Sequence, residues 1–156
     1  SQGVGIYRSR DGAGAWDKSN QSRPCLYPQD ISGHPEGSNV ILVGTCDASR
    51  QDKSGGLYRG LNGGVTWQRI GRQARQTFGG YFHPQHKGWI YMTLTEGAPG
   101  AGLWLTRNNG RTWEAFDGLP FSNIQRVVFD PTDASRLYVT TFGGSVWRGP
   151  IVPQGR

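Results

Sequence analysis

The sequence predicts an all-β fold made of repeated antiparallel sheets, and three observations lead to this prediction. One eight-residue pattern occurs three times, at residues 9–16, 60–67 and 106–113. Glycine is abundant, with 25 in 156 residues, and the glycines fall in turns between short β-rich runs. No segment shows the apolar stripe of a helix; the best candidate, residues 71–76, lacks one.

Each copy of the pattern follows a short strand with a central aromatic residue and ends on tryptophan. Its third position is Asp or Asn, which can accept backbone N–H bonds across a tight turn, and its fifth is a glycine suited to positive φ. The tryptophan is expected to bury its ring between neighbouring strands. Because two copies have Asn at position three, this position cannot be a shared general acid or base. The motif residues are Ser9, Asp11, Trp16, Asn62, Gly64, Thr66, Trp67, Thr106, Asn108, Gly110, Thr112 and Trp113.

Two copies depart from the full pattern. The first has Ala13 at the glycine position, so its turn is expected to be reshaped around Gly12 and Gly14. The second has Gly60 where the third copy has the hydroxyl of Thr106. The flanking strand and the tryptophan persist in both, so we expect the same hairpin in all three.

A longer repeat contains the motif. Pro35, Pro84 and Pro131 mark equivalent corners, 49 and 47 residues apart. We name the four strands of a repeat A to D from the centre outward, with the corner between A and B and the motif between C and D. The predicted strands are A near 26–32, 78–82 and 124–129, B at 39–43, 89–93 and 136–140, C at 56–59, 102–105 and 145–148, and D near 66–70 and 112–116. Repeats of this length with four strands are typical of β-propeller blades.

This register predicts about three and a quarter blades, whereas propellers close with roughly four to eight. Such a partial propeller would expose sheet edges, so we expect it to belong to a larger ring. The remaining blades would come from the same precursor, from a second chain or from self-association. The predicted divisions are 1–20 (strands C and D of a first blade), 21–71, 72–118, 119–150 (strands A to C of a last blade) and a tail at 151–156.

The two cysteines, Cys25 and Cys46, fall at the ends of strands A and B of one hairpin. With the turn centred near residues 35–36 they would face one another, within the span of a disulfide. A bridge implies an oxidising compartment, so we expect an extracytoplasmic location. Two free thiols are the alternative.

The three histidines are expected to be structural. His34 and His83 stand directly before a corner proline, in the slot that Asp130 fills in the third corner, where a polar side chain can cap the turn. His86 belongs to the same turn as His83. No zinc spacing and no nucleophile–base pattern is present, so we predict no metal and no cofactor.

Function is expected on the face that carries the D–A and B–C loops, opposite the motif turns. These loops are residues 18–26, 46–55, 71–77, 94–101 and 118–123. Arginines beside aromatic rings suit sugars and carboxylates, and the candidate ligand-binding residues are Arg23, Tyr27, Arg50, Arg72 and Arg75. The net charge of +6 permits an acidic glycan, but the basic residues are scattered and resemble no nucleic-acid module. No stretch is apolar enough for a membrane span.

The motif and its repeat resemble the Asp-box, or bacterial neuraminidase repeat, β-propellers over nearly the whole chain. That resemblance implies the fold but not one activity, because the motif recurs in sialidases, xyloglucanase-type glycoside hydrolases and sortilin-type receptors. The sialidase Phe/Tyr-Arg-Ile-Pro signature is absent. A xyloglucanase-type enzyme needs two opposed carboxylates, for which Asp47, Asp52 and Glu96 are the candidates in the loops.

Two functions therefore compete. The first is a non-catalytic extracytoplasmic segment that binds a glycan or a protein or builds an assembly. The second is a fragment of a secreted glycoside hydrolase with catalytic groups partly elsewhere. In both, the partners are the remaining blades and an acidic or neutral glycan.

Overall fold

The computed structural model describes residues 5–19, 27–46, 54–71, 76–95 and 100–153. These residues form thirteen β-strands, and none of them lies in a helix. Consequently the described part of the chain has no helix long and apolar enough to cross a membrane.

The strands form four antiparallel sheets, which we call blades 1 to 4. Blade 1 contains β1 (Tyr7–Arg8) and β2 (Asp17–Lys18). Blade 2 contains β3 (Tyr27–Gly33), β4 (Ile41–Cys46), β5 (Gly56–Leu61) and β6 (Thr66–Arg69). Blade 3 contains β7 (Thr77–Phe82), β8 (Ile90–Leu94), β9 (Gly102–Thr106) and β10 (Glu114–Ala115). Blade 4 contains β11 (Ile124–Phe129), β12 (Arg136–Thr141) and β13 (Val146–Pro150).

The sheet order confirms the predicted fold class. Blades 2 and 3 are complete four-stranded meanders in chain order, and the strands described for blade 4 run β11-β12-β13. The predicted strands A, B, C and D fall on these elements with ends that differ by a few residues. The protein is therefore all-β and forms part of a propeller, as the repeat predicted.

The hydrophobic core lies between successive blades. Leu42 and Leu57 of blade 2 pack against Ile90 and Met92 of blade 3. A larger cluster joins the opposite face of blade 3 to blade 4, through Tyr91, Leu103 and Leu105 on one side and Leu137 and Val139 on the other. The inner strands β4 and β8 are buried on both faces because a blade packs on each side, so burial depends on the stacking of blades more than on any one sheet.

The motif turns of blades 1 and 3 have the predicted geometry. The Asp11 carboxylate accepts the Ala15 N–H at 3.0 Å, and the Asn108 side-chain oxygen accepts the Thr112 N–H at 2.9 Å. The leading hydroxyl also takes part, because Thr106 Oγ1 accepts the Gly110 N–H at 3.0 Å. The hydrogen bond that the Ala15 N–H donates to the Asp11 carboxylate, followed by the one from the Ser9 hydroxyl, lowers the pKa of Asp11.

The second motif turn differs from this pattern. Gly60 offers no hydroxyl, and the turn is closed by backbone bonds from the Gly64 and Val65 amides to the Leu61 carbonyl, at 2.9 and 3.0 Å. Asn62 adopts φ 53°, and the hydrogen bonds that close this turn are made by the backbone alone within the described residues. The capping role of the Asn62 side chain therefore stays a prediction.

The motif tryptophans pack across blades. Trp67 of blade 2 is 8% exposed and donates its indole N–H to the Ser19 carbonyl of blade 1 at 3.1 Å. Trp113 of blade 3 donates in the same way to Ile70 of blade 2 at 2.9 Å. Trp16 was expected to be buried, but it is 60% exposed, because no described blade precedes blade 1.

The corners between strands A and B are capped as predicted. His83 Nδ1 accepts the N–H groups of Gln85 and His86 at 3.1 and 3.0 Å, and Asp130 Oδ1 accepts the Thr132 N–H at 2.9 Å. His34 Nδ1 faces the Glu36 N–H at 3.3 Å.

The hairpin of the two cysteines has a different register from the one predicted. Cys46 pairs with Tyr27 in the ladder between β3 and β4, two residues away from the expected partner. The shift arises at the turn, which is centred near residue 37 because Gly33 pairs with Ile41, and the bulge between Pro28 and Asp30 offsets one residue of it. Cys25 itself lies outside the described residues, so the disulfide stays a prediction.

Candidate functional site

Most of the predicted ligand and catalytic residues fall in loops outside the described ranges. This is true of Arg23, Arg50, Arg72, Arg75, Asp47, Asp52 and Glu96. Tyr27 is described: it is the first residue of β3 and is half-buried. The candidate site is therefore built from the innermost strands and from the two loops of blade 4 that the structure describes.

Strand A carries a bulge at the same place in each of the three A–B hairpins that the structure describes. The register shifts between Pro28 and Asp30 in β3, between Thr77 and Gly79 in β7, and between Ile124 and Arg126 in β11. A bulge twists a strand and redirects the side chain that follows it. The residues that follow the three bulges are Asp30, Gly79 and Arg126.

These three positions form one cluster across blades 2, 3 and 4. The Asp30 carboxylate accepts Arg126 Nε at 3.0 Å and Arg126 Nη2 at 2.8 Å, a forked ion pair. Tyr81 Oη donates to the same carboxylate at 2.7 Å and lies 3.1 Å from the Gln125 carbonyl oxygen. Gly79 leaves the space that the tyrosine hydroxyl fills, because a Cβ there would lie 2.3 Å from it.

The electrostatics of the cluster follow from burial and from the carboxylate. Burial, followed by the hydrogen bond to Asp30, raises the pKa of the Tyr81 hydroxyl far above its ordinary value. The hydrogen bond to Asp30 raises the pKa of the Arg126 guanidinium. The Asp30 side chain is 10% exposed and that of Arg126 is 53% exposed, so water reaches the pair from the arginine side.

The hydrogen bonds of Asp30 limit the chemistry that it can perform. It accepts one more bond, from the Ile31 N–H at 2.9 Å, which brings its partners to the roughly four that a carboxylate can hold. A carboxylate occupied in this way has no free oxygen for proton transfer to a substrate. The cluster holds three inner strands together, and we assign no catalytic step to it.

Exposed aromatic rings mark the loop face of blade 4. Phe142, in the B–C loop, is 73% exposed, and Trp147 at the start of β13 is 46% exposed. The ring of Phe121, in the D–A loop, lies 5.1 Å from that of Trp147, and the indole N–H of Trp147 donates to the Gly144 carbonyl at 2.7 Å. This hydrogen bond fixes the ring orientation. Two loops from adjacent blades thus present three aromatic rings on one face.

A pocket of about 260 Å³ opens beside Phe121 and Trp147, between blades 3 and 4. Its walls are the D–A loop on one side and strands β12 and β13 on the other, and they include Leu137, Val139 and Pro150. A mostly apolar pocket of this size is at the lower end of the range for small-molecule sites.

The histidine corner of blade 3 forms a separate aromatic cluster. His83 is 3% exposed and packs 4.5 Å from the His86 ring and 4.9 Å from the Phe129 ring. His86 stacks on Trp89, with the ring centroids 4.4 Å apart, and the Arg107 guanidinium lies 5.0 Å from the centroid of the Trp89 ring. Within the described residues no group of His, Cys, Asp and Glu side chains has a metal-binding arrangement.

Sequence reasoning missed the ion pair. Aligning the A strands by their corner prolines places Asp30, Gly79 and Arg126 at one position of the repeat. An acidic residue, a glycine and a basic residue in three successive repeats were the signal that could have predicted the ion pair. The bulges hid it, because an extra residue breaks the alternation from which a buried or exposed side chain is predicted.

Comparison with known proteins identifies relatives of the fold. The chain is 26% identical over 110 residues to an oligoxyloglucan-reducing end-specific xyloglucanase of Emericella nidulans, a match that covers 67% of this chain and 12% of that enzyme. No family model matches the sequence, so membership in the Asp-box families stays a prediction.

Solved structures give the same architecture. A GH74 enzyme of Niastella koreensis aligns with a TM-score of 0.70 at 17% identity, over 95% of this chain and 25% of that one. An ancestral GH74 enzyme aligns with a TM-score of 0.58 at 20% identity, over 74% of this chain and 13% of that one. The chain thus spans an eighth to a quarter of the length of these relatives, and at such identities the likeness shows the propeller fold.

Proposed function

We propose that this chain is the glycan-binding part of a secreted propeller glycoside hydrolase that acts on xyloglucan-like β-glucans. The observation that carries the proposal is the pair of exposed rings on the loop face of blade 4, Phe142 and Trp147, with the half-buried ring of Phe121 beside Trp147. Aromatic faces of this kind bury the apolar face of a sugar ring, and their polar surroundings leave the hydroxyls solvated. The sequence match to a xyloglucanase supports the class of glycan.

A glycan contact explains why these rings are exposed. An aromatic side chain normally buries a large area, so the two exposed rings of Phe142 and Trp147 represent a surface available for a ligand. The rings lie on blade 4 and on the loop that joins it to blade 3. This position suits a polymer that crosses the loop face. The scattered positive charge favours no acidic sugar in particular, so we assign a neutral glucan.

The test is calorimetric titration of the chain with xyloglucan oligosaccharides. Phe142→Ala should weaken binding roughly fivefold, since loss of one stacked ring is worth about 1 kcal/mol. Val65→Ala is the matched control, because Val65 is an exposed apolar residue on the motif turn of the opposite face. Binding that is unchanged in the Phe142 variant, or an equal loss in the Val65 variant, would contradict the proposal.

Hydrolysis by groups of this chain is the second candidate, and it depends on Asp47, Asp52 and Glu96. Retaining and inverting glycosidases both require a pair of carboxyl groups beside the scissile bond. Asp47→Asn, Asp52→Asn and Glu96→Gln would each be assayed for release of reducing ends from xyloglucan by the active enzyme. If all three variants keep the parent rate, the catalytic pair is supplied by other parts of the propeller and this segment contributes binding alone.

A further inference from the structure

Each of the three A-strand bulges leaves one residue without a partner in the ladder. These residues are Gln29 of β3, Phe78 of β7 and Gln125 of β11, which we call the bulge triad. All three lie within the first three residues of their strands, at the end that the D–A loop leads into. The bulge triad therefore lies at the loop face, on the strands that are closest to the propeller axis.

The bulge triad is not absorbed by the core. Gln29 is exposed, and Phe78 and Gln125 are half-buried. Phe82, at the other end of β7, packs against the cluster between blades 2 and 3, but Phe78 belongs to none of the hydrophobic clusters that the described residues form. Bulges are common beside active sites, where they redirect a side chain. A bulge repeated at one place in three blades, with its extra residues outside the core, indicates a binding site.

Contacts next to the bulge triad hold its members close together. Asp30 and Arg126, which form the forked ion pair across blade 3, directly follow the two glutamines. The Tyr81 hydroxyl lies 2.7 Å from the Asp30 carboxylate and 3.1 Å from the Gln125 carbonyl oxygen. Because blade 3 lies between blades 2 and 4, the two glutamines flank Phe78 from the neighbouring blades.

The two side-chain amides keep hydrogen-bonding capacity for a ligand. Gln29 Nε2 lies 3.3 Å from Cys46 Sγ and 3.5 Å from the Tyr27 carbonyl oxygen, and its amide oxygen accepts no hydrogen bond from a described residue. The Gln125 side-chain amide makes no hydrogen bond to any described residue. An amide supplies two N–H donors and one acceptor oxygen, and a sugar hydroxyl both donates and accepts. The chemistry of the two groups therefore matches.

The charges around the bulge triad favour a neutral ligand. The amides and the phenyl ring carry no charge, and the adjacent charges of Asp30 and Arg126 are paired with each other. A sugar ring can place one apolar face on Phe78 while its hydroxyls extend sideways to the two amides. A neutral sugar thus satisfies every group of the bulge triad without leaving a buried charge unpaired.

The exposed ring of Phe142 lies beside this group. Its backbone N–H donates to the Asn123 carbonyl at 3.1 Å, two residues before Gln125, and the ladder pairs Thr141 with Ile124. A glycan that stacks on Phe142 and extends toward the propeller axis therefore meets the bulge triad next.

We propose that the bulge triad binds a neutral sugar ring of the glycan that stacks on Phe142. Phe78 contacts one face of this ring, and the amides of Gln29 and Gln125 bind its hydroxyls. The triad is then the part of the loop face that determines specificity, and the glycan runs from Phe142 across strands β11, β7 and β3. The inference rests on the proposed function, because it assigns further residues to the same glycan.

NMR titration of the chain with xyloglucan oligosaccharides tests the contact directly. The side-chain NH₂ signals of Gln29 and Gln125 should shift as the oligosaccharide is added. The NH₂ signal of Gln85 is the control and should not shift, because Gln85 is an exposed glutamine in the A–B corner of blade 3, on the opposite face. This measurement uses the unaltered chain, so it does not depend on the folding of any variant.

Calorimetric titration of variants gives the second measurement. Gln29→Leu and Gln125→Leu should each weaken binding about fivefold, the loss expected for one hydrogen bond between neutral groups. Gln85→Leu is the matched control and should bind like the parent chain. Unfolding midpoints recorded in parallel show whether a variant has lost contact with the ligand or has lost stability, and the NMR shifts decide in the second case.

The outcomes separate this inference from the proposed function. Shifts and affinity losses at the two triad glutamines but not at Gln85 support both. If Phe142→Ala weakens binding while the triad signals stay fixed and both leucine variants bind like the parent, the triad assignment is overturned and the proposed function stands. A parent chain that binds no xyloglucan oligosaccharide overturns both.

Discussion

Asp30 and Arg126 form a forked ion pair, although 96 residues separate them and a whole blade lies between their strands. The pair exists because bulges at equivalent places direct both side chains to the same point, and because Gly79 in the intervening blade has no side chain to occupy it. Tyr81 reaches into the space that the glycine leaves. These contacts therefore link three blades through residues that lie on three different sheets.

We expect the ion pair to contribute to stability. Arg126→Gln should lower the free energy of unfolding by about 1–2 kcal/mol, because it leaves the largely buried Asp30 carboxylate with fewer partners. The pair of Arg107 and Glu114 is the control: both side chains are close to half exposed, and Glu114→Gln should cost less than about 0.5 kcal/mol. Urea unfolding measures both. Equal losses in the two variants would show that Arg126 makes no special contribution.

A second prediction concerns the close approach of blades 2 and 3. A Cβ at Gly44 would lie 2.1 Å from the Phe78 carbonyl oxygen, which the bulge of β7 pushes toward β4. Gly44→Ala should therefore destabilise the protein by about 3 kcal/mol or prevent folding, because the obstacle is backbone and cannot rotate away. Gly33→Ala is the control, since its added methyl would meet nothing within 4 Å. Thermal unfolding of the two variants tests this prediction, and similar unfolding midpoints would contradict it.

The sequence predicts the fold well and the inner cluster poorly, for a physical reason. Strands, corners and motif turns depend on local chemistry that recurs at a fixed interval, so Pro35, Pro84 and Pro131 suffice to align them. The contact of Asp30 with Arg126 depends on three bulges, and a bulge reverses the face on which later residues are expected.

The disulfide prediction can be tested directly on the unreduced chain. If Cys25 and Cys46 are bridged, alkylation under denaturing conditions should modify neither thiol before reduction and both after it. Cys46 lies across from Tyr27 in the ladder, so the bridge requires Cys25 to approach it diagonally, from beyond the end of β3. Mass spectrometry counts the alkylated thiols before and after reduction. Two modified thiols in the unreduced, freshly purified chain would remove the disulfide and the support it gives to an extracytoplasmic location.

The last prediction concerns acid. Burial, and then the neighbouring His86, lower the pKa of His83 to about 4, from an ordinary value of 6.5. Above pH 6.5 the imidazole is neutral in the folded and unfolded chains, and the free energy of unfolding does not depend on this group. Between about 6.5 and 4 the unfolded chain binds a proton that the folded chain does not, so stability falls as the pH falls.

We expect this window to account for a loss of about 3 kcal/mol in the free energy of unfolding. His83→Asn should flatten the window, since an amide oxygen can still accept the Gln85 and His86 N–H groups, as the Asp130 carboxylate does for its own corner, and does not titrate. Urea unfolding at closely spaced pH values gives the comparison. A further decline below about pH 3.8 should remain in the variant, because the lowered pKa values of Asp11, Asp130 and Asp133 belong to carboxylates whose hydrogen bonds favour the charged form. If the variant and the parent chain lose stability in parallel between pH 6.5 and 4, His83 is not the group responsible.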